Sequence, residues 1–179
     1  MRSLFRVDDP AVNMYKLLTA VVVPRPIAWV STVSETGVVN LAPHSFYTVA
    51  CARPPIVQFT SVGKKDTLRN VLATGEFVVN LATAPLLGQV NDSAARFPPD
   101  QSEVDALGID TAPSSQVRPP RVVGSPAAIE CTLHSTHELG DSTVVLGDVR
   151  AISVEQSVLV DGHPAYERLD PLARLGKEE

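Results

Sequence analysis

The residues best equipped for chemistry lie together at Gly63-Lys64-Lys65-Asp66-Thr67, between a stretch of strand character and one of helix character. Asp66 reads as an N-cap, and the first free N–H groups of the following helix point at whatever lies beyond it. Two lysines and a threonine hydroxyl add positive charge and another donor, which together describe a pocket for a phosphate monoester. A capped surface helix preceded by two solvated lysines has the same local sequence, so both readings stand at this point. The second candidate is Asn40-Leu41-Ala42-Pro43-His44-Ser45-Phe46. Pro43 should prevent a regular ladder there, bending the chain and freeing backbone N–H and C=O groups for a polar heterocycle's edge; a plain strand connection is the alternative. His44 has the chemistry of a general acid or of a solvated loop histidine.

Other chemistries find little support. His134 and His137, followed by Glu138, suggest a metal, but positions three apart on a strand face opposite sides of the sheet, so none is expected. No serine occupies a Gly-x-Ser-x-Gly elbow and no Gly-x-Gly-x-x-Gly follows a strand, which removes the usual signals of a hydrolase triad and of a Rossmann site. No catalytic side chain is assigned.

The elements that must position these residues are mostly strands. The chain has 26 valines and only 5% aromatics, and β-branched side chains favour a pleated surface. Pro26 to Val33, a Ser34–Gly37 turn and Val38 to Leu41 form a hairpin. Phe46 to Ala52 and Ile56 to Thr60 form another, joined across Arg53-Pro54-Pro55. In Asp66 to Thr74 the period changes, with Leu68, Val71 and Leu72 on one helical face and Gly75 as a stop. Glu76 to Ala82 is a strand, Pro85 to Ala95 a helix, and Arg96 to Val117 an excursion with little regular structure. Strands return at Ala127 to Thr136, Ser142 to Val154 and Ser157 to Val160. Many strands broken by few short helices argue for a mainly β fold, a closed or nearly closed antiparallel barrel.

At 179 residues, with 44% hydrophobic and 20% charged residues, the chain is sized for one globular domain spanning 1–179. The 15 Lys+Arg against 20 Asp+Glu give a net charge of -5, the wrong sign for a partner whose affinity rests on phosphates along a duplex. The apolar run from Leu17 to Val23 ends at Pro24, too short for a bilayer span, and Asp8 and Asp9 occupy the place of a secretory signal's apolar stretch. Cys51 and Cys131 read as buried thiols of a cytoplasmic protein.

Taken in order, six stretches resemble the flavin reductase-like family. They are Arg25-Pro26-Ile27-Ala28-Trp29-Val30-Ser31-Thr32, Asn40 to Phe46, Lys65-Asp66-Thr67-Leu68-Arg69-Asn70, Gly75-Glu76-Phe77-Val78-Val79-Asn80, Pro119-Pro120-Arg121-Val122 and Leu172-Ala173-Arg174-Leu175-Gly176. Each alone is weak; their order and spacing over almost the whole chain make the set specific. The resemblance implies an FMN-binding split β-barrel, Greek-key-like and antiparallel, with Lys65, Asp66, Thr67 and Ser31 or Thr32 on the ribityl phosphate. It places Ala42, Pro43, His44, Ser45 and Phe46 along the isoalloxazine edge. It further implies a homodimer with the flavin near the interface, where Arg121 and Arg174 reach the site, and hydride transfer from NADH or NADPH to FMN. Reduced flavin then serves a partner monooxygenase, or, as the alternative, the protein is a non-enzymatic FMN electron carrier. After Arg-Leu-Gly the family usually continues through another glycine and an aromatic, whereas Lys177-Glu178-Glu179 stand here, which implies a more open nicotinamide side.

Overall fold

A computed structural model describes residues 1–98 and 100–176; the expectation placed on 177–179 lies outside them. The elements run α1 (Met14–Val21), β1 (Arg25–Pro26), β2 (Ala28–Val33), β3 (Val39–His44), β4 (Tyr47–Cys51), β5 (Ile56–Val62), α2 (Asp66–Thr74) and β6 (Glu76–Leu81). They continue through α3 (Leu87–Asp92), α4 (Glu103–Leu107), β7 (Thr111–Ala112), β8 (Arg121–Val122), β9 (Ala127–Leu139) and β10 (Ser142–Val154). β11 (Leu159–Val160), β12 (His163–Pro164), α5 (Tyr166–Leu169) and β13 (Ala173–Arg174) close the described chain.

Seven strands form one antiparallel sheet in the order β3-β2-β6-β9-β10-β5-β4. Its two outermost strands, β3 and β4, are consecutive in the chain with only Ser45 and Phe46 between them. That short link obliges the sheet to curl until its ends meet, and Thr60 N–H donates to the Phe46 carbonyl at 2.8 Å, carrying the β4–β5 pairing one residue past Tyr47 into the link. Among the described residues no ladder joins β3 to β5, so the barrel is split there. The antiparallel split barrel agrees with the fold expected from sequence.

Strand alternation sends two sets of side chains to two cores. Ala28, Val30, Phe59, Phe77, Val79 and Val145 fill the barrel with Leu68 and Val71 of α2. Trp29 and Leu41 point the other way, against Ala82, Val90, Val104, Ile109 and Val122, so the segment between β6 and β9 packs on the barrel's outside. Trp29 is fully buried, and its Nε1–H donates to Ser93 Oγ at 2.9 Å.

Several expectations change in detail. β3 continues through Pro43, which pairs with Trp29, where a bend was expected. The reason is position. Leu41 N–H points off the open edge, and Pro43, two residues on, shares that orientation, so its missing N–H removes no ladder bond. α1 occupies part of the apolar run that had been weighed only against a membrane span, and among the described residues no helix is long and apolar enough to cross one. The expected helix at 85–95 is a 3₁₀ turn at Ala84–Leu86 followed by six-residue α3, while the 96–117 excursion contains α4 and β7. Ser157–Val160 is a 3₁₀ turn with a two-residue strand. Cys131 is buried as expected, with its thiol pushed up to about 12 chiefly by that burial, whereas Cys51 is only half-buried. His134 Nδ1 lies 3.1 Å from Asp148.

Candidate functional site

α2 begins where Gly63, at φ 76°, lets the chain leave β5 and turn. The helix has the bounds expected from sequence and ends at Gly75 in the left-handed region, φ 73°. Its start differs. Lys65 holds the cap position in extended backbone and makes no side-chain cap; Asp66 is the first helical residue and pairs with Arg69 at 2.6 Å. The difference matters chemically, because a capping carboxylate would satisfy the amides of the first turn and repel an anion. Here those amides keep no side-chain acceptor among the described residues, and the N-terminal end of the helix dipole stays available.

Two buried amide side chains fix the rotation of α2 against the sheet. Asn40 Nδ2 donates to Thr67 Oγ1 at 3.0 Å, and Asn70 Nδ2 donates to Thr32 Oγ1 at 3.1 Å. Thr67 Oγ1 thus receives one hydrogen bond, and its own proton has no acceptor among the described residues.

A cavity of about 750 Å³ opens beside this helix start. Asn40, Ala42, Pro43, His44 and Ser45 line it from β3 and the residue beyond, Lys64 to Thr67 from the start of α2, and Glu103 from its seat against the β3 edge, together with parts of 87–97 and a strap of Leu172, Ala173 and Arg174. Leu172 N–H donates to the Ala82 carbonyl, while β13 pairs with β1 so that Arg174 is opposite Arg25. The structure therefore brings Ala42, Pro43, His44, Ser45, Lys65, Asp66, Thr67 and Arg174 to one concavity.

Four expected residues stand elsewhere. Ser31 points to the outer core and donates to the Pro120 carbonyl at 2.6 Å. Thr32 is on the correct face but fully buried behind Asn70. The Phe46 ring sits 6.0 Å from the Arg25 guanidinium, off the cavity wall. Arg121 borders a separate hollow of about 200 Å³ with Ser125 and Glu155. Sequence reasoning named Lys64 and Asn40 within the two candidate stretches without assigning them to the binding site, and it missed Glu103 and the lining residues among 87–97. Asn40 and Lys64 were visible inside their motifs; Glu103 carried no local signal, because its role depends on a strand 62 residues away.

His44 is neither a solvated histidine nor an acid for neutral pH. Its ring is buried against Phe59, with centroids 4.8 Å apart, and its Nε2 has no partner among the described residues. Burial, reinforced by the charge of Lys65 and opposed by a backbone hydrogen bond at Thr60, lowers its pKa to about 4. Glu103 behaves oppositely: it is 5% exposed, and burial raises its pKa although Leu41 N–H donates to its Oε2 at 3.0 Å.

A sequence model described as "Flavin reductase like domain" matches residues 20–170. The chain belongs to the flavin reductase-like family. Within it, a protein of Deinococcus radiodurans is 40% identical over 179 residues, covering 93% of this chain and 79% of that one. The reductase subunit HsaB of a flavin-dependent monooxygenase from Mycobacterium tuberculosis is 34% identical over 127 residues, 71% of this chain and 64% of HsaB. Among solved structures, nitrilotriacetate monooxygenase component B from Bacillus cereus superposes with a TM-score of 0.92 at 30% identity, covering 100% of this chain and 94% of that one. The uncapped helix start, the two lysines and the Thr67 proton fit a phosphate group, and the mixed polar and apolar wall from Asn40 to Ser45 fits a flat heterocycle.

Proposed function

We propose that this flavin reductase-like protein binds FMN and transfers a hydride to it from NADH or NADPH, with reduced flavin passing to a partner monooxygenase. The observation that carries this reading is the uncapped start of α2 at one end of the cavity, with Lys64, Lys65 and Thr67 around it. When bound, the flavin supplies the hydride-accepting chemistry. The chain's own work is to grip and orient. Lys65 and the first-turn amides hold the phosphate, Thr67 donates its remaining proton, and Asn40 keeps that hydroxyl in place. Arg174 and the strap it belongs to line the same cavity. Neutral His44 offers an uncharged wall, consistent with a reaction that asks little proton transfer of the protein.

The relatives' names support the assignment, since HsaB is a reductase subunit and component B belongs to a monooxygenase. A homodimer completes the reading, supported by the exposed Tyr15, Leu18 and Val21 on α1. The test is an anaerobic titration of FMN-loaded protein with NADH and with NADPH, followed by visible absorbance. Bleaching of the oxidised flavin by either nucleotide is expected. A stable yellow complex that ignores both would make the protein an electron carrier, and a protein that takes up no FMN would end the proposal.

A further inference from the structure

One buried acid in the cavity wall has no part in that reading. Glu103 sits against the open edge of β3, where its Oε2 accepts Leu41 N–H at 3.0 Å. The next residue, Asn40, bonds Thr67 at the start of α2, so the carboxylate is one residue along the strand from the anion-binding end. Both line the same cavity, and the charge of Asp66, the first residue of α2, already acts on Glu103. A phosphate seated at that helix start is a second negative charge beside a carboxylate that burial has made costly to ionise. The other charges sharing the wall are Lys64 and Lys65 from the α2 start, Arg96 from the 93–97 stretch and Arg174 from β13, with Asp105 on Glu103's own helix and uncharged His44 on β3.

We propose that Glu103 sets the charge this pocket accepts: when a phosphate occupies the start of α2, Glu103 takes up a proton, coupling binding of a phosphate-bearing ligand to pH. The inference rests on the flavin reading for its physiological ligand, but the coupling itself requires only a phosphate. The proton comes from solvent and stays on the carboxyl, whose unprotonated oxygen continues to accept from Leu41 N–H. Glu103 is then a specificity-determining residue, favouring ligands with fewer negative charges and releasing them more readily as pH rises.

The test follows the Glu103 carboxyl by ¹³C NMR, assigned by its loss in Glu103→Gln, with inorganic phosphate, FMN or riboflavin added to the full chain. Its titration midpoint should rise by about half a pH unit or more with phosphate and with FMN, and stay in place with riboflavin. Glu103→Gln keeps an acceptor for Leu41 and should bind FMN about fivefold more tightly at neutral pH, as expected for removing a like charge from the same cavity, with riboflavin changed by less than about twofold. A midpoint unmoved by both phosphate and FMN overturns the proposal, as does equal weakening of both flavins by Glu103→Gln, which would make the residue a structural latch. If the wild-type protein binds neither flavin, the flavin reading fails, and the Glu103 proposal stands or falls on inorganic phosphate alone.

Discussion

His44 shows how burial changes a residue's chemistry. Its type and loop-like motif suggest an acid, yet contact with Phe59 and the nearby Lys65 hold it neutral down to about pH 4. The consequence for stability has a definite sign. Between the ordinary histidine pKa near 6.5 and the folded value, the unfolded chain binds a proton that the folded chain refuses. Stability contributed by neutral His44 is therefore complete above about pH 6.5 and declines as pH falls toward 4, by up to about 3 kcal/mol in all. Denaturant unfolding at pH 7 and pH 4.5 should show this loss in the wild type, and His44→Gln should flatten that part of the profile. A profile unchanged by His44→Gln would mean the ring is hydrated.

At the scale of elements, α2 and β3 form the site as a unit. Leu68 and Val71 seat the helix in the barrel, and the Asn40–Thr67 and Asn70–Thr32 bonds fix its rotation, so its open end points into the cavity. Much of α2 was legible because period and terminal glycine agree. The cap was misread because the sequence cannot show that Asp66 turns to Arg69. Pro43 was misread for a related reason: whether proline breaks a strand depends on which side is an edge, and that is a property of the sheet. The part of the lining made by residues of 87–97 and by Glu103 was illegible because distant contacts such as Trp29–Ser93 and Leu41–Glu103 create it. Across the barrel, Gly147 faces the fully buried Phe77 ring, and a Cβ there would overlap Phe77 Cζ. Phe77 is itself packed edge-on to Phe59 at 5.4 Å and cannot easily move. Gly147→Ala should destabilise the fold by about 1–3 kcal/mol in chemical denaturation, with no direct effect on the cavity. A neutral substitution would mean the core is looser than this packing implies.

For the whole molecule, β3 is both the strand at the split, where among the described residues no ladder joins it to β5, and a wall of the cavity. The strap at 172–174 and parts of the segment between β6 and β9 line that same cavity. The overall barrel was readable from the spacing of strands and turns; the homodimer was expected only through the family resemblance, because element spacing does not say which exposed apolar residues a second copy covers. Leu18, 59% exposed on α1, is the natural probe of the proposed homodimer. Leu18→Glu should shift the light-scattering mass from twice the chain's 19.1 kDa toward a single chain, and an unchanged dimer would locate the interface elsewhere.

The anion pocket at the start of α2 is tested most directly by comparing how Lys65→Ala changes the dissociation constants of FMN and riboflavin, which differ by the phosphate. Loss of one charge-assisted contact should weaken FMN about 10- to 100-fold and riboflavin less than about twofold. Equal losses for the two ligands, or no loss for either, would contradict the placement of the phosphate at Lys65.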